Sequence, residues 1–517
     1  MFLFAFGLTF VVASCVSLLL TPLTARYARR LGVVDGPDGR RKSQSRAVPL
    51  GGGVAVVLST ALACAAGWLL LQRLLPALEG GSFLWAILPA AAVLLVVGLI
   101  DDAHGLTGIY KLTGQVLSAS LLVAGGFRFD AINLFGWECP LGDFGVPFSL
   151  FFCLGAINAF NLIDGSDALA SSIGAVVCTT LGVITVAQGE FGAALLSFGV
   201  AGALLGFLRF NAPPARIYLG DTGSMLIGLV VAAVAIGCSI KQETATVLAL
   251  PVAICAIPIL DAAAAMVRRI TTGQSVFTPD RGHLHHALLL RGLSVGQTAA
   301  AAAGLTAVTC AGALGSYFSG YQSIAVAAII IVFCALAAGR IFGHAELRLI
   351  SSHARLLGRR FMGRCFIASS DAEGSDHSIQ IQGAKPWNSL WDGLREAAQR
   401  NGLLAMRLNI GIPQLHESFY ASWKCTERLS AQDGWSLTLP LSWRGVDVGR
   451  LAVVGSEVGA AALIQMQRWI DYLEELEPEI DLILSHGPSV QGTIAPVQRV
   501  PIATGDISEL AGAGLAR

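Results

Sequence analysis

Between Phe2 and Ala338 the chain carries eleven apolar runs, and their length decides what it can fold into. A bilayer core takes about 20 apolar residues per helix, with a range of about 17–25. Inside lipid every backbone N–H and C=O must be satisfied within the segment, which leaves the α-helix for runs of this kind. The first six lie at Phe2–Leu20, Val54–Leu75, Phe83–Ile100, Leu112–Phe127, Val146–Phe160 and Ala168–Ala187. The other five lie at Phe191–Phe210, Met225–Ile240, Thr244–Val267, Thr298–Phe318 and Ile324–Ala338. A mean hydropathy of +0.66 and 54% hydrophobic residues exclude an ordinary soluble protein. The expected fold is an all-α polytopic membrane protein of 10–11 transmembrane helices, followed by a small α+β domain. The first run has no basic leader and no small-residue cleavage site, so it is expected to stay as a span. The eleven Cys sit mostly singly inside apolar runs, without a CxxC pair, and are expected to be packing residues.

Lys and Arg give the orientation. The loop after the first run holds Arg26, Arg29, Arg30, Arg40, Arg41, Lys42 and Arg46, and Arg268, Arg269, Arg281 and Arg291 surround the loop after the ninth. The opposite loops offer only scattered charges such as Arg73, Arg128 and Lys241. Loops after odd-numbered runs are therefore expected to be cytoplasmic, and the C-terminal segment with them. Those same loops hold nearly all the unusual polar residues: Lys42–Gly53, Asp101–Lys111, Asn158–Ala170, Asn211–Ser224 and Asp280–His286. Structural polar residues would scatter over both faces. One composite cytoplasmic site is the better reading.

Within Asn158–Ala170, Asn158, Asn161, Asp164 and Asp167 recur every third residue, which on a helix makes each the neighbour of the next. Four such groups beside hydrocarbon are costly without partners, which points to a ligand or metal. Asp101 and Asp102 end an apolar run as adjacent carboxylates, and their repulsion falls if a divalent cation or a proton sits between them. Either is a candidate general base. In Asn211–Ser224, Gly220 and Gly223 flank Asp221, so backbone N–H groups can approach phosphate. Asp221 is the candidate metal ligand, and Tyr218 offers a ring for a base. Arg281, His283, His285 and His286 share one loop. Zinc is disfavoured there, because no Cys is present and no i,i+4 pair exists; phosphate binding fits better. Pro49-Leu-Gly-Gly-Gly53 opens the second run and permits close packing.

Together Pro49–Gly53, Asp101-Asp102, Asn158–Asp167, Gly220–Ser224 and His283–His286 resemble the polyprenyl-phosphate N-acetylhexosamine-1-phosphate transferases, the superfamily of MraY and WecA. The match covers roughly residues 1–340, and the His-x-His-His form behind Arg281 resembles the WecA type. The resemblance implies transfer of a sugar-1-phosphate, GlcNAc-1-phosphate foremost, from a UDP-N-acetylhexosamine to undecaprenyl phosphate in the bacterial inner membrane. UMP would be released, and a lipid-linked cell-envelope polysaccharide such as O-antigen or exopolysaccharide would be started. It implies Mg²⁺, with Mn²⁺ as an alternative ion, at Asp221 with Asp164 as helper. Asp101 and Asp102 would serve the lipid phosphate, with Asp164 counted beside them as catalytic. Asn158, Asn161, Asp167, Asn211 and Tyr218 would line the nucleotide pocket, and Lys42, Arg281, His283, His285 and His286 would hold phosphates or sugar. A homodimer is compatible with it, and no nucleic acid is expected. Two positions depart from the pattern: Gln44, where a histidine is frequent, and Ala168, where glycine is usual. An MraY-type transferase is the runner-up, which the histidine loop disfavours. A transporter would put charges at mid-span in broken helices, whereas these cluster at one edge.

The expected domains are 1–342 in the membrane, 343–385 as juxtamembrane basic segment and linker, 386–487 as an α+β accessory domain, and 488–517 as a disordered tail. Arg348, Arg355, Arg359 and Arg360 form a basic belt for anionic lipid. Trp435–Leu439 and Gly449–Val454 read as strands, and Ala462–Leu484 as an amphipathic helix interrupted at Pro478. His416, Cys425 and His486 are isolated, and the partner of this domain is open.

Overall fold

The computed structural model describes residues 2–36, 47–74, 81–135, 137–240, 246–247, 249–272, 282–351, 376–383, 385–412, 417–425, 435–443, 446–476, 480 and 482–484. Lys42, Gln44, Arg281, Arg355, Arg359, Arg360, His416, His486 and the tail 488–517 lie outside them. The chain divides into two units, Met1–Ala368 and Ser369–Arg517.

The first unit is helical. Its elements are α1 (Phe2–Arg30), α2 (Gly52–Leu74), α3 (Gly81–His104), α4 (Gly108–Ala124), α5 (Gly145–Ile163), α6 (Leu169–Ala187) and α7 (Phe191–Asn211). There follow α8 (Gly220–Ile240), α9 (Ala249–Ile254), α10 (Ala256–Thr272), α11 (Leu284–Leu290), α12 (Val295–Ser319), α13 (Gln322–Ala338) and a helical segment α14 at 344–351. Among the described residues eight helices are long and apolar enough to cross a membrane: α1, α2, α3, α5, α6, α7, α8 and α12. This is a multi-pass membrane protein.

The remaining expected spans differ for physical reasons. α4 and α13 have 17 residues each, at the short end of the spanning range. The ninth run is two helices parted at Cys255. Pro258 lacks the N–H that would reach the carbonyl of Ile254, and Cys310 Sγ of α12 donates to that oxygen instead, at 3.8 Å.

α8 is the most enclosed of the long helices. α3 and α5 pack along it, and α2 crosses its first turn, while α1, α2 and α7 pack against one another. At that crossing a Cβ on Gly53 would stand 2.3 Å from the backbone N of Gly223, so only glycine lets the two helix ends meet. Two short strands, β1 (Val34–Asp35) and β2 (Val48–Pro49), pair antiparallel beside this crossing. Leu50 bridges Tyr218, and the amides of Gly52 and Gly53 donate to the carbonyls of Tyr218 and Leu219 at 3.0 and 2.8 Å. The first loop is thereby sewn to the start of α8. The loops after even-numbered helices carry a separate small sheet, missed in the sequence. There β3 (Ala131–Leu134) pairs antiparallel with β4 (Trp137–Pro140) and parallel with β5 (Thr246–Val247).

The second unit is a five-stranded antiparallel sheet with helices, ordered β6-β8-β7-β10-β9. Its strands are β6 (Asp376–Gln382), β7 (Leu403–Ile412), β8 (Glu417–Lys424), β9 (Trp435–Trp443) and β10 (Val446–Gly455), with α15 (Trp387–Arg400) and α16 (Ala460–Glu475). Trp387, Trp391 and Trp469 from the helices join Phe419, Leu408 and Leu451 from the sheet in one core. The expected linker is corrected here: 376–382 is an edge strand of the sheet. Its two isoleucines, Ile379 and Ile381, alternate in a polar segment, a signal too weak to mark a strand by composition.

Substituting Gly53 by Val should lower the melting temperature of the purified protein and cost roughly 1–3 kcal/mol, by the overpacking at Gly223. A thermal melt of wild type against G53V measures it.

Candidate active site

The site is built on the first turn of α8. Asp221 sits there, half-buried, with its carboxylate facing α4 and α5. Lys111 Nζ, from the first turn of α4, contacts Asp221 Oδ2 at 2.8 Å and Asp101 Oδ2 at 3.0 Å. Asn161 Nδ2, from the last turn of α5, donates to Asp221 Oδ1 and, at 3.0 Å, to Ser224 Oγ. One cation thus lies between two carboxylates, an arrangement that removes their mutual repulsion.

Asp101 and Asp102 end α3 and do different work. Asp101 Oδ1 accepts the Leu106 amide at 2.6 Å, and its other oxygen faces Lys111. Asp102 accepts the amides of Asp221 at 2.8 Å and Thr222 at 3.3 Å, and the Thr222 hydroxyl at 2.6 Å. It caps the N-terminus of α8, where free N–H groups and the helix dipole favour a negative charge. Gly220 makes that approach possible: its φ is +75°, and a Cβ would sit 2.7 Å from the Asp102 carboxylate. The expectation that either acid is a base is therefore narrowed. Asp102 is committed to the helix end, and Asp101 alone faces the open cluster.

The expected helical stack of Asn158, Asn161, Asp164 and Asp167 is also corrected. α5 ends at Ile163, so only the two asparagines are helical. Asn158 Nδ2 donates to Gln115 Oε1 at 2.9 Å and to the Leu154 carbonyl at 2.8 Å. Asp167 accepts the Ala215 amide at 2.9 Å, tying this loop to the one before α8. Asp164 follows the helix, half-buried and near Asp221 and Asp102. Burial first, and those two carboxylates second, push its carboxyl well above the usual value of 3.8.

Asn211 was expected to touch the nucleotide; it is buried and makes three hydrogen bonds within the protein. Its oxygen accepts the Ala168 amide at 3.0 Å and the Ser171 hydroxyl at 2.9 Å, and its nitrogen donates to the Ile217 carbonyl at 3.0 Å. It braces the two loops against each other. Ala168 there has a φ of +64°, the left-handed region that glycine adopts without strain, so the departure from glycine is a tolerated local cost. The Tyr218 ring is half-buried, and its backbone is taken up by Pro49 and Gly52.

The histidines stand at the start of α11. His283 Nδ1 lies 2.9 Å from Asp261 Oδ2 on α10, and Asp261 Oδ1 accepts the Leu284 amide at 2.7 Å. His285 is 3% exposed, its ring 4.1 Å from that of His286 and 5.9 Å from that of His283. Neither of its nitrogens has a hydrogen-bond partner among the described residues. It lies over Gly165, next to Asp164, where a Cβ would come within 3.0 Å of the ring. Burial pushes its pKa down to about 4, so it is neutral at physiological pH. Neutral imidazole hydrogen-bonds hydroxyl and amide groups more readily than it attracts phosphate. Lys111, Gln115, Asp261 and Thr222 were not singled out in the sequence. Lys111 and Thr222 lay within polar segments already marked, whereas Gln115 and Asp261 lie inside apolar runs with no local signal.

A profile of glycosyl transferase family 4 matches residues 84–239, the stretch that holds Asp101, Lys111, Asn161 and Asp221. A decaprenyl-phosphate N-acetylglucosaminephosphotransferase of Mycobacterium leprae is 35% identical over 320 residues, covering 56% of this chain and 77% of that one. An undecaprenyl-phosphate alpha-N-acetylglucosaminyl 1-phosphate transferase of Yersinia pestis is 31% identical over 278 residues, covering 52% and 73%. The same enzyme of Escherichia coli strain K12 is 29% identical over 276 residues, covering 52% and 72%. The chain belongs to glycosyl transferase family 4. Its membership brings together, in one fold, the motifs that pointed to the WecA and MraY superfamily.

The family chemistry implies a divalent metal, and the oxygen donors present suit Mg²⁺. Among the described residues no three acidic, histidine or cysteine side chains converge as a metal cage. Mg²⁺ characteristically takes one or two carboxylates and completes its shell with water and substrate phosphate. Asp221, half-exposed and already facing a cation in Lys111, fits that habit.

The neutral His285 has a consequence for stability. The unfolded chain takes up its proton near pH 6.5, while the folded one refuses it until about 4. Stability is therefore unaffected above pH 6.5 and falls as pH drops from 6.5 towards 4, by roughly 3 kcal/mol at most. Melting temperatures across that window should slope steeply in wild type and less in H285Q.

Proposed function

We propose that this chain transfers N-acetylglucosamine-1-phosphate from UDP-N-acetylglucosamine to a polyprenyl phosphate, releasing UMP, at the cytoplasmic edge of the membrane. The observation that carries this reading is the Asp101–Lys111–Asp221 array at the N-terminus of α8. The excess of Lys and Arg in the loops after odd-numbered runs supports the cytoplasmic side. The names of the three relatives reported above support the sugar and the lipid class.

An oxygen of the lipid phosphate attacks the phosphorus that bears the sugar. The bond from that phosphorus to the bridging oxygen breaks, and the bridging oxygen leaves with UMP. The new bond makes the lipid pyrophosphoryl sugar, so atoms and charge balance without a redox partner. A phosphate monoester is already largely ionised near neutrality, so positioning and charge neutralisation matter more than a strong base. Lys111 is poised to move from its two carboxylates onto phosphate oxygens. Asp101 then orients it, and Asn161 holds the Asp221 carboxylate. Backbone N–H groups of the α8 first turn, held in place by Asp102, add positive potential. Mg²⁺, held by Asp221 with Asp164 beside it, would neutralise the pyrophosphate. The neutral His285 suits the uncharged hydroxyl or acetamido groups of the sugar.

Full-length protein in nanodiscs, with undecaprenyl phosphate, Mg²⁺ and a panel of UDP-sugars, should release UMP from UDP-N-acetylglucosamine and only when the lipid phosphate is present. D221N and K111M should each lower turnover by roughly 100-fold or more, the scale for losing one charge-stabilising group. Folded wild-type protein that releases UMP from no donor would overturn the proposal.

A further inference from the structure

The histidine loop is held by a residue that has no place in any motif. Asp261 lies in α10, is 1% exposed, and spends both carboxylate oxygens on the loop, one on His283 Nδ1 at 2.9 Å and one on the Leu284 amide at 2.7 Å. Two structural facts show how firmly that end of the loop is set. Gly282 packs against the guanidinium of Arg268, about two helical turns further along α10, where a Cβ would stand 2.5 Å from the Arg268 side chain. Arg268 itself is buried and paired with Glu346 of α14. α10 thus grips the loop at Gly282, His283 and Leu284 in succession.

We propose that Asp261 is a positioning residue for the transferase: its carboxylate keeps the proton of His283 on Nδ1 and so presents Nε2 to the donor as a bare acceptor. The chemistry follows from the inventory of donors. A buried carboxylate accepts only, so the ring nitrogen facing it must carry the hydrogen. The Leu284 amide on the second oxygen prevents the carboxylate from turning away. Nε2 makes no hydrogen bond among the described residues, and in this tautomer it takes a hydrogen from a hydroxyl or an amide. His283 and His285 have nearly parallel rings, with an angle of 11° between them. A held His283 thus stands beside the ring of His285, which has no hydrogen-bond partner among the described residues. A carboxylate behind a ligand histidine is a common device for setting ring orientation and basicity. Here it acts through His283 and does not touch substrate. The inference rests on the proposal that this loop faces the UDP-sugar.

The test has two arms on the full-length protein in nanodiscs. Nitrogen NMR of histidine-labelled protein, with His283 assigned by its loss in H283Q, should find hydrogen on Nδ1 and none on Nε2. Finding the hydrogen on Nε2 in wild type would overturn the proposal. In UMP-release kinetics D261N and H283Q should each lower kcat/KM by roughly tenfold or more, and the double variant should be no slower than the slower single one. Losses that multiply in the double variant would show Asp261 acting elsewhere and would also overturn it. The tautomer is read without substrate, so its failure is distinct from a failure to release UMP, which bears on the transferase reading alone.

Discussion

A carboxylate at the edge of a bilayer must be partnered, and the Asp221 carboxylate is the one on which this site depends. It is met by Lys111 and Asn161 from two different helices, while its backbone N–H is held by Asp102 from a third. Each of these partners sits at a helix end, α3, α4 or α5 meeting α8. The ends can gather only because the helices are packed along their lengths, with glycine where backbones touch. In a membrane, packing between helices comes from close contact and polar bonds, since lipid is as apolar as leucine. The polar cluster is thus part of what holds the bundle together at this end, as well as the chemistry it would perform.

Polar loops do the remaining bracing. Asn211 links Ala168 and Ser171 to Ile217, Asp167 reaches Ala215, and Tyr218 is stitched to Pro49 and Gly52. Three loops far apart in sequence are fastened by single side chains and short backbone ladders. The histidine loop joins from α10 through Asp261, and its contact at Gly165 brings His285 beside Asp164. A site assembled this way has its walls tied to one another and a cation, Lys111, between the Asp101 and Asp221 carboxylates.

The bundle was legible because its cause is written in composition: runs of bilayer length permit nothing but helices. The convergence of the loops was legible from their parity, since polar residues that serve one site must share one face. What the sequence hid were pairings that depend on where helices stop. The period of three from Asn158 to Asp167 looked like one helical face, but α5 ends at Ile163, and the two aspartates lie beyond it. Asn211 looked like a substrate contact because it is polar beside prolines, and only packing reveals that its amide braces two loops. Asp261 and Gln115 sit alone in apolar runs, where one polar residue gives no pattern to read. The strand at Asp376–Gln382 escaped because an edge strand buries only one sparse face.

The central claim is that the Asp221 carboxylate, with Lys111 as its resident counter-ion, is where the donor pyrophosphate is received. Structure determination of the full-length protein with Mg²⁺ and UMP tests it most directly. The predicted result is metal density on the Asp221 carboxylate, with the Lys111 ammonium withdrawn from Asp221 and turned to phosphate. Metal and nucleotide bound elsewhere, with the Lys111–Asp221 pair intact, would contradict it.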